Sequence, residues 1–203
     1  MKVIKAVGFD YGGVIAKNSG HSFNEEVCKV LGITIEEYER EYFKVNHLPN
    51  TGKMSWDEFW KMFVNKLNKQ DKLEEVRKVV HKTNTREIDQ EILDLAKKLK
   101  GEGYKVGLLS NNTLDAVTKF REIGLYDLFD TVVVSEEVGY SKPDPKIFEL
   151  FLDNLNVRSE ELAFIDDSIN SLSTAKEIGY KPILFTTYEK LLKDLESLHI
   201  NYN

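Results

Sequence analysis

The chain has little of what marks secreted, membrane-spanning and nucleic-acid-binding proteins. It contains one cysteine, Cys28, so no internal disulfide can form, and we expect this side chain to be buried as a small hydrophobe. No apolar run approaches the roughly 18 residues that span a bilayer, and no signal-peptide pattern precedes the first apolar run. The net charge of −6 argues against nucleic acid as the main partner. We therefore expect a soluble, cytoplasmic protein.

What the chain does have is a regular alternation of apolar runs and helical patterns. Its 203 residues, 41% of them hydrophobic, suit one globular domain with a modest insertion. Strands are predicted at residues 3–9, 104–109, 131–134, 162–165 and 181–185. Helices are predicted at residues 91–100, 114–123, 144–155, 169–178 and 188–198. Strands that are apolar throughout indicate a parallel sheet covered on both faces, and so an α/β fold.

Residues 18–88 interrupt this alternation and predict a small helical insert after the first strand. Capping-box patterns begin at Thr34 and Ser55, and a turn is predicted over 49–52. Four aromatic residues recur at helical spacing, namely Trp56, Phe59, Trp60 and Phe63. We expect this stripe to form the core of the insert, and the alternative is that it lines a substrate pocket.

Polar clusters follow the predicted strands, either directly or after a loop. They are Asp10, Ser110-Asn111, Lys142 and Asp166-Asp167. Each alone has an ordinary explanation, such as a helix cap or a solvated loop. Asp is depleted in strands, however, and the carboxyl ends of parallel strands meet at one edge, where such folds bind ligands. The four clusters together therefore predict one functional site.

The residue types of these clusters indicate metal-assisted phosphoryl chemistry. Three converging carboxylates repel one another unless a cation joins them, and oxygen-only ligands favour Mg²⁺. One carboxylate can attack phosphorus as a nucleophile. A lysine and hydroxyl or amide donors would then neutralise the oxygens of the transferring phosphoryl group.

At these positions the chain resembles the haloacid dehalogenase superfamily, in its phosphatase branch. The four motifs that carry the resemblance are Asp10-Tyr11-Gly12-Gly13, Ser110-Asn111, Lys142-Pro143 and Asp166-Asp167. The resemblance implies a Rossmann-like, doubly wound parallel sheet formed by residues 1–17 and 89–203. It also implies a helical cap of the C1 type formed by residues 18–88.

The resemblance assigns roles to the motif residues. Asp10 would be the nucleophile, Lys142 would hold both this carboxylate and the phosphate, and Ser110 and Asn111 would bind the phosphoryl group. The substrate would be a small phosphorylated molecule.

The same resemblance implies a Mg²⁺ site. Asp10, the backbone carbonyl of Gly12 and Asp167 would bind the ion, with Asp166 as a further ligand or as a partner of the ligands. The family often has Asp or Asn four residues after the metal-binding acid. Here that position is Ser171, so the surroundings of the metal are expected to differ.

Gly12 is the main departure from the family pattern. Most phosphatases of the superfamily have a second Asp there, which protonates the leaving oxygen and then activates water. A positioned acid or base contributes roughly 10²–10⁴-fold, so we expect slow hydrolysis of unactivated esters. Similar bacterial sugar-phosphate phosphatases also read Asp-x-Gly and remain active. Sugar 1-phosphates have a less basic leaving group, which lessens the need for an acid.

These patterns support three functional hypotheses. The first is a Mg²⁺-dependent phosphatase of a small phosphorylated metabolite, with sugar phosphates as candidates. The second, suggested by Gly12 alone, is a non-catalytic module that binds a phosphorylated ligand or a protein. The third is a 2-haloacid dehalogenase, which Asp166-Asp167 disfavours because those enzymes lack the metal and usually the acidic pair. The sequence predicts neither the substrate nor the oligomeric state.

Overall fold

The structure, a computed structural model, describes residues 3–17, 20–82 and 87–202, without the side chains of residues 20–22 and 82. Its centre is a parallel sheet of five strands: β1 (Ala6–Phe9), β2 (Lys105–Ser110), β3 (Thr131–Val134), β4 (Leu162–Asp166) and β5 (Lys181–Leu184). Their order in space is β3-β2-β1-β4-β5. The chain therefore winds from β1 first towards one edge and then towards the other, as a doubly wound fold does. The predicted fold class is confirmed.

Helices cover both faces of this sheet. Five helices come first in the chain: α1 (Gly20–Leu31), α2 (Ile35–Tyr42), α3 (His47–Asn50), α4 (Trp56–Lys66) and α5 (Leu73–Lys82). The core helices follow: α6 (Gln90–Gly101), α7 (Leu114–Glu122), α8 (Leu125–Leu128), α9 (Ser135–Val138), α10 (Pro145–Leu155), α11 (Ala175–Ile178) and α12 (Tyr188–Ser197). Val7 and Phe9 of β1 face the cluster that includes α6, α7 and α12, whereas Ala6 faces the cluster of α10 and α11. Among the described residues, no helix is long and apolar enough to cross a membrane.

One aromatic ring explains two glycines in the central strands. A Cβ built on Gly8 would lie 2.8 Å from the Phe151 ring and 2.5 Å from the Phe164 ring, and one built on Gly107 would lie 2.5 Å from the Phe151 ring. Gly8 and Gly107 are register partners on β1 and β2. Phe151 of α10 therefore packs directly on the backbone of both strands, and a methyl group at either glycine would displace it.

The predicted insert folds as helices α1 to α5 with a hydrophobic cluster of its own. Phe59, Trp60 and Phe63 are buried in that cluster and Trp56 packs against it, which confirms the stripe as core. Cys28 is buried in the same cluster, as expected. Ser55 forms the full capping box with Glu58.

Two chain segments that connect the insert to the sheet run side by side. Asp89 N donates to Ile15 O at 2.7 Å, and Lys17 N donates to Glu87 O at 2.7 Å. The predicted domain boundaries, after residue 17 and before residue 89, lie at this pairing. Residues 18 and 19, at the first limit, and 83–86, near the second, lie outside the described residues. The domain limits stay a prediction.

Two local predictions were wrong in detail. The predicted helix over 169–178 is helical only at Ala175–Ile178, and turns precede it. Ser168 Oγ accepts from Ser171 N at 3.4 Å, and such side-chain acceptors compete with the helical hydrogen bonds. The turn expected over 49–52 is also displaced: residues 49 and 50 end α3, and the turn begins at Thr51.

Candidate active site

The sheet topology places two of the predicted carboxylates beside each other. Phe9 is the register partner of Ile165, so Asp10 stands level with Asp166 at the carboxyl ends of β1 and β4. Asp10 N donates to Ile165 O at 2.8 Å, which continues the ladder to this point. In the order β3-β2-β1-β4-β5 the direction of winding changes between β1 and β4. Ligands of open α/β sheets bind at this kind of position.

Lys142 joins these two carboxylates although it lies 132 residues from Asp10 along the chain. Its Nζ donates to Asp10 Oδ1 at 2.6 Å and to Asp166 Oδ2 at 2.6 Å. All three side chains are nearly inaccessible to water, with relative exposures of 2% for Lys142, 10% for Asp10 and 1% for Asp166. The ammonium also lies 5.1 Å from the centre of the Phe164 ring. Three of the predicted site residues therefore form one buried ion cluster.

One ammonium cannot neutralise two buried carboxylates, and the pKa values reflect this. Burial lowers the pKa of Lys142, but the charges of Asp10 and Asp166 outweigh it, and the net pKa lies well above the ordinary value. Burial raises the pKa of Asp166; Lys142 opposes this rise and Asp10 adds to it. The cluster as a whole is short of positive charge.

Asp167 adds a third carboxylate and so increases the shortage of positive charge. Oxygen atoms of Asp10, Asp166 and Asp167 lie within 4.8 Å of one another. Burial, followed by the charges of Asp10 and Asp166, raises the pKa of Asp167 to about 7. With all three ionised, Lys142 leaves two negative charges uncompensated. A divalent cation with a preference for oxygen ligands, such as Mg²⁺, fits both the charge and the donor atoms.

Asn111, predicted to bind a phosphoryl group, holds the backbone of Lys142. Its Nδ2 donates to Lys142 O at 2.9 Å, and its Oδ1 accepts from Lys142 N at 2.8 Å. This pair of hydrogen bonds fixes the loop that carries the lysine. Ser110, the last residue of β2, is buried at the same edge of the sheet.

Gly12 lies in the tight turn that follows Asp10. It pairs with Ala16 in a β-bridge, and Gly13 N donates to Ala16 O at 2.9 Å with Gly13 at a φ of 82°. The position two residues after Asp10 therefore offers backbone groups and no side chain. No acid or base can come from this residue.

A cavity of about 310 Å³ opens beside Lys142, between the insert and the core. One wall consists of residues of the insert, including Asn46, His47 and Thr51, and the other of the core segment Gly139–Asp144. Most of these residues have polar side chains. The cavity is large enough for a small hydrophilic group attached to a phosphate.

The sequence analysis missed Ser135 and Glu136. Ser135 is fully buried and Glu136 half-buried, and both form hydrogen bonds with residues 112–114, which follow Ser110-Asn111. Ser135 comes directly after β3, in the same position that Asp10 has after β1. Its position directly after a strand is the signal by which the sequence could have indicated it.

Comparison with known sequences identifies the family of this chain. A profile described as haloacid dehalogenase-like hydrolase matches residues 4–179. Bifunctional epoxide hydrolase 2 of Rattus norvegicus is 33% identical over 119 residues, which are 56% of this chain and 21% of that protein. The chain thus spans about a fifth of the length of the first curated relatives it matches.

Two relatives match over nearly their full length. A phosphatase of Mycobacterium tuberculosis is 27% identical over 206 residues, 96% of this chain and 95% of the relative. D-ribitol-5-phosphate phosphatase of Bacteroides thetaiotaomicron is 27% identical over 193 residues, 88% of this chain and 90% of the relative.

Solved structures share the fold. A HAD-like family hydrolase from Porphyromonas gingivalis superposes with a TM-score of 0.66 at 22% identity, covering 98% of this chain and 100% of that one. A HAD family enzyme from Bacteroides thetaiotaomicron in complex with magnesium and inorganic phosphate gives a TM-score of 0.62 at 22% identity, covering 93% and 98%. The family profile, matched over most of the chain and in agreement with this fold, shows that the protein belongs to the haloacid dehalogenase-like hydrolases.

Proposed function

We propose that this protein is a Mg²⁺-dependent phosphatase that hydrolyses small phosphorylated metabolites through a phosphorylated Asp10. The observation that carries the proposal is the cluster in which Lys142 bridges Asp10 and Asp166, with Asp167 within 4.8 Å. Such a cluster offers a fixed nucleophile, a cation for phosphoryl oxygens and ligands for a divalent ion. The relatives named as phosphatases support the same reaction class.

The reaction would proceed in two displacements at phosphorus. In the first, an Asp10 oxygen forms a bond to phosphorus while the bond between phosphorus and the leaving oxygen breaks, and the leaving oxygen takes up a proton from solvent water. In the second, water attacks the phosphorus and loses a proton to solvent, the bond between phosphorus and Asp10 breaks, and phosphate leaves. Lys142, held on Asp10 Oδ1, orients the nucleophile and neutralises charge on the phosphoryl oxygens. Ser110, at the same strand edge, would bind those oxygens too.

The metal ligands would be Asp10, Asp167 and the backbone carbonyl of Gly12. Both oxygens of Asp166 are already engaged, one with Lys142 and the other with the backbone N–H of Ser168 at 2.8 Å. Asp166 would therefore act mainly on Lys142, and Asp167 would be the carboxylate that supplements Asp10. A bound Mg²⁺ would supply positive charge to the reacting phosphoryl group.

The absence of a side chain at Gly12 restricts the range of substrates that we expect. Because no side chain is available there to protonate the leaving oxygen, the site should favour phosphates with weakly basic leaving groups, such as sugar 1-phosphates and acyl phosphates. The polar cavity beside Lys142 suits a hydroxylated leaving group. The ribitol phosphate named for one relative and the glyceraldehyde 3-phosphate named for others are natural members of a test panel.

A phosphate-release assay tests this proposal. The panel contains sugar 1-phosphates, ribitol 5-phosphate, glyceraldehyde 3-phosphate, acetyl phosphate and p-nitrophenyl phosphate, each with Mg²⁺ and with EDTA. We expect Mg²⁺-dependent turnover that Asp10→Asn abolishes and that Asp153→Asn, an exposed control on α10, retains. If no panel member is hydrolysed, or if Asp10→Asn retains activity, the proposal fails.

Substitution of Gly12 separates an enzyme from a binding module. In the phosphatase, Gly12→Asp restores a side-chain acid, and hydrolysis of phosphates with basic leaving groups should rise, by up to the roughly 10²–10⁴-fold that a positioned acid contributes. In a non-catalytic binder, both forms bind Mg²⁺ and phosphate but neither turns over substrate. Release of halide from a 2-haloacid without metal would instead indicate a dehalogenase.

A further inference from the structure

The insert and the loop that follows β2 are joined through one buried hydroxyl. Ser135, the first residue of α9, is fully inaccessible to water. The backbone N–H of Asn112 donates to Ser135 Oγ at 3.0 Å, and Ser135 Oγ lies 2.5 Å from the carbonyl oxygen of Asn50. The carbonyl oxygen of Asn112 also lies within 3.1 Å of Ser135 Oγ. Since a hydroxyl has one proton, Ser135 donates to the nearer acceptor, the carbonyl oxygen of Asn50 at the end of α3. One side chain thus connects the insert with the loop after β2.

Glu136 forms a second connection between the same two segments. Its Oε2 accepts from the backbone N–H of Leu114 at 2.8 Å, at the start of α7, and its own backbone N–H donates to Asn112 O at 3.3 Å. Towards the insert, a Cβ built on Gly52 would lie 3.0 Å from the Glu136 side chain, and Gly52 has a φ of 71°. Glycine at 52 allows this close approach.

Both connections reach Asn112, which is linked to the proposed nucleophile through Asn111 and Lys142. Asn112 directly follows Asn111, whose amide holds the Lys142 backbone at 2.9 and 2.8 Å. Lys142 in turn holds Asp10. The path from Asn50 to the catalytic lysine therefore consists of hydrogen bonds and adjacent residues.

The insert also forms one wall of the cavity beside Lys142, and residues 139–144, which follow α9 with its Ser135 and Glu136, form the other. His47 and Thr51 of the insert lie on one wall, on either side of Asn50 in the chain. The other wall begins at Gly139, directly after α9. A change in the contact between Asn50 and Ser135 would therefore alter the distance between the walls.

We propose that the contacts of Ser135 and Glu136 position the insert over the loop that follows β2 and set the width of the cavity. We call this pair of residues the bracket. Ser135 is accordingly a positioning residue, which acts through Asn50 and Asn112 rather than on the substrate. The consequence for selectivity rests on the function proposed above, whereas the positioning itself does not. The leaving group is thus selected partly by a residue that it never contacts.

Native-state hydrogen exchange tests the bracket without reference to activity. Ser135→Ala should accelerate exchange about tenfold, the factor that corresponds to one net hydrogen bond, at Asn112 and also at residues 51–53 of the insert. The matched control is Thr34→Ala, which removes a hydroxyl from the insert, where Thr34 caps α2 away from the bracket. It should leave exchange at Asn112 unchanged. Acceleration at Asn112 alone, or at neither segment, would overturn the bracket.

The kinetic arm compares two substrates of one variant. Ser135→Ala should lower the ratio of kcat/KM for a sugar phosphate to kcat/KM for acetyl phosphate about tenfold, chiefly through KM for the sugar phosphate. A merely structural role would lower both values alike, and that result contradicts the selectivity argument. If Ser135→Ala does not fold, Glu136→Ala, at a half-buried position, takes its place in both arms. Absence of turnover by the wild type would refute the proposed function, and hydrogen exchange would still decide the bracket.

Discussion

Removing the charge of Asp167 should stabilise the metal-free protein at alkaline pH. Asp167 lies beside Asp10 and Asp166, and burial together with these charges raises its pKa from 3.8 to about 7. The folded state therefore holds a proton that the unfolded state has already released. Stability must fall from about pH 4 to about pH 7, because over this range the unfolded state has released a proton that the folded state still holds. Asp167→Asn keeps the shape and removes this cost.

The pKa shift sets the size of the effect. A rise of about three pH units, at about 1.36 kcal/mol per unit, gives a ceiling of about 4 kcal/mol at pH 8. Asp167 retains some contact with water, so we expect about 1–2 kcal/mol after screening. For a chain of this size that corresponds to a rise in Tm of about 2–8 °C. At pH 5 the pH is only about one unit above the pKa of Asp167 in the unfolded state. The stability gained by Asp167→Asn should therefore be about a third of the gain at pH 8.

Thermal unfolding in EDTA at pH 5 and pH 8, compared with the wild type and with Asp153→Asn, measures the effect. Mg²⁺ should then reverse the order at pH 8, since the wild type gains stability from the ion and Asp167→Asn gains much less. If Asp167→Asn is no more stable than the wild type at pH 8 in EDTA, or if its advantage is equal at both pH values, the carboxylates are not crowded as described.

Three further results are expected. Burial raises the pKa of the Cys28 thiol to about 11, so alkylation at pH 8 should be at least 100-fold slower in the folded than in the urea-unfolded protein, and equal rates would contradict its burial. Phe151→Ala should lower the free energy of unfolding by about 3–5 kcal/mol in urea titrations, because the ring fills the space between α10 and the central strands; a loss below 1 kcal/mol would exclude this packing. Lys142→Met should abolish turnover and destabilise the metal-free protein by about 3–5 kcal/mol at pH 8, since Asp10 and Asp166 then face each other unpaired; an unchanged Tm would refute the buried ion cluster.

Local patterns predicted the elements well where periodicity was unbroken. The apolar runs located all five strands of the described sheet, and Pro145 after Asp144 marked the start of α10. The prediction was wrong over 169–174, where Ser168 Oγ accepts from the backbone N–H of Ser171 in place of a helical hydrogen bond. Residue spacing alone does not show this competition, because it depends on which side chains turn back to the backbone.

The candidate site was predicted as a set of residues but not as an arrangement. The strand-end rule selected Asp10, Lys142 and Asp166, and the structure brings these three together. The same rule could not show that Asn111 holds the lysine backbone or that Asp166 has both oxygens engaged. The contacts of Asn111 and Asp166 with Lys142 join residues 31 and 24 positions apart, so they follow from packing.

The sequence by itself determined the class of fold and the kind of chemistry, because buried parallel strands and strand-end carboxylates leave a local pattern of residue types. Only the tertiary structure decided how the charges are distributed and how the insert is attached. Asp166 and Asp167 are neighbours of one type in the sequence, yet one lies against Lys142 and the other keeps contact with water. In the sequence, nothing distinguishes Ser135 from other serines that follow a strand. In the structure, the carbonyl oxygen of Asn50, 85 residues away, lies 2.5 Å from its hydroxyl. Electrostatic environment depends on distance in space, and no local pattern contains it.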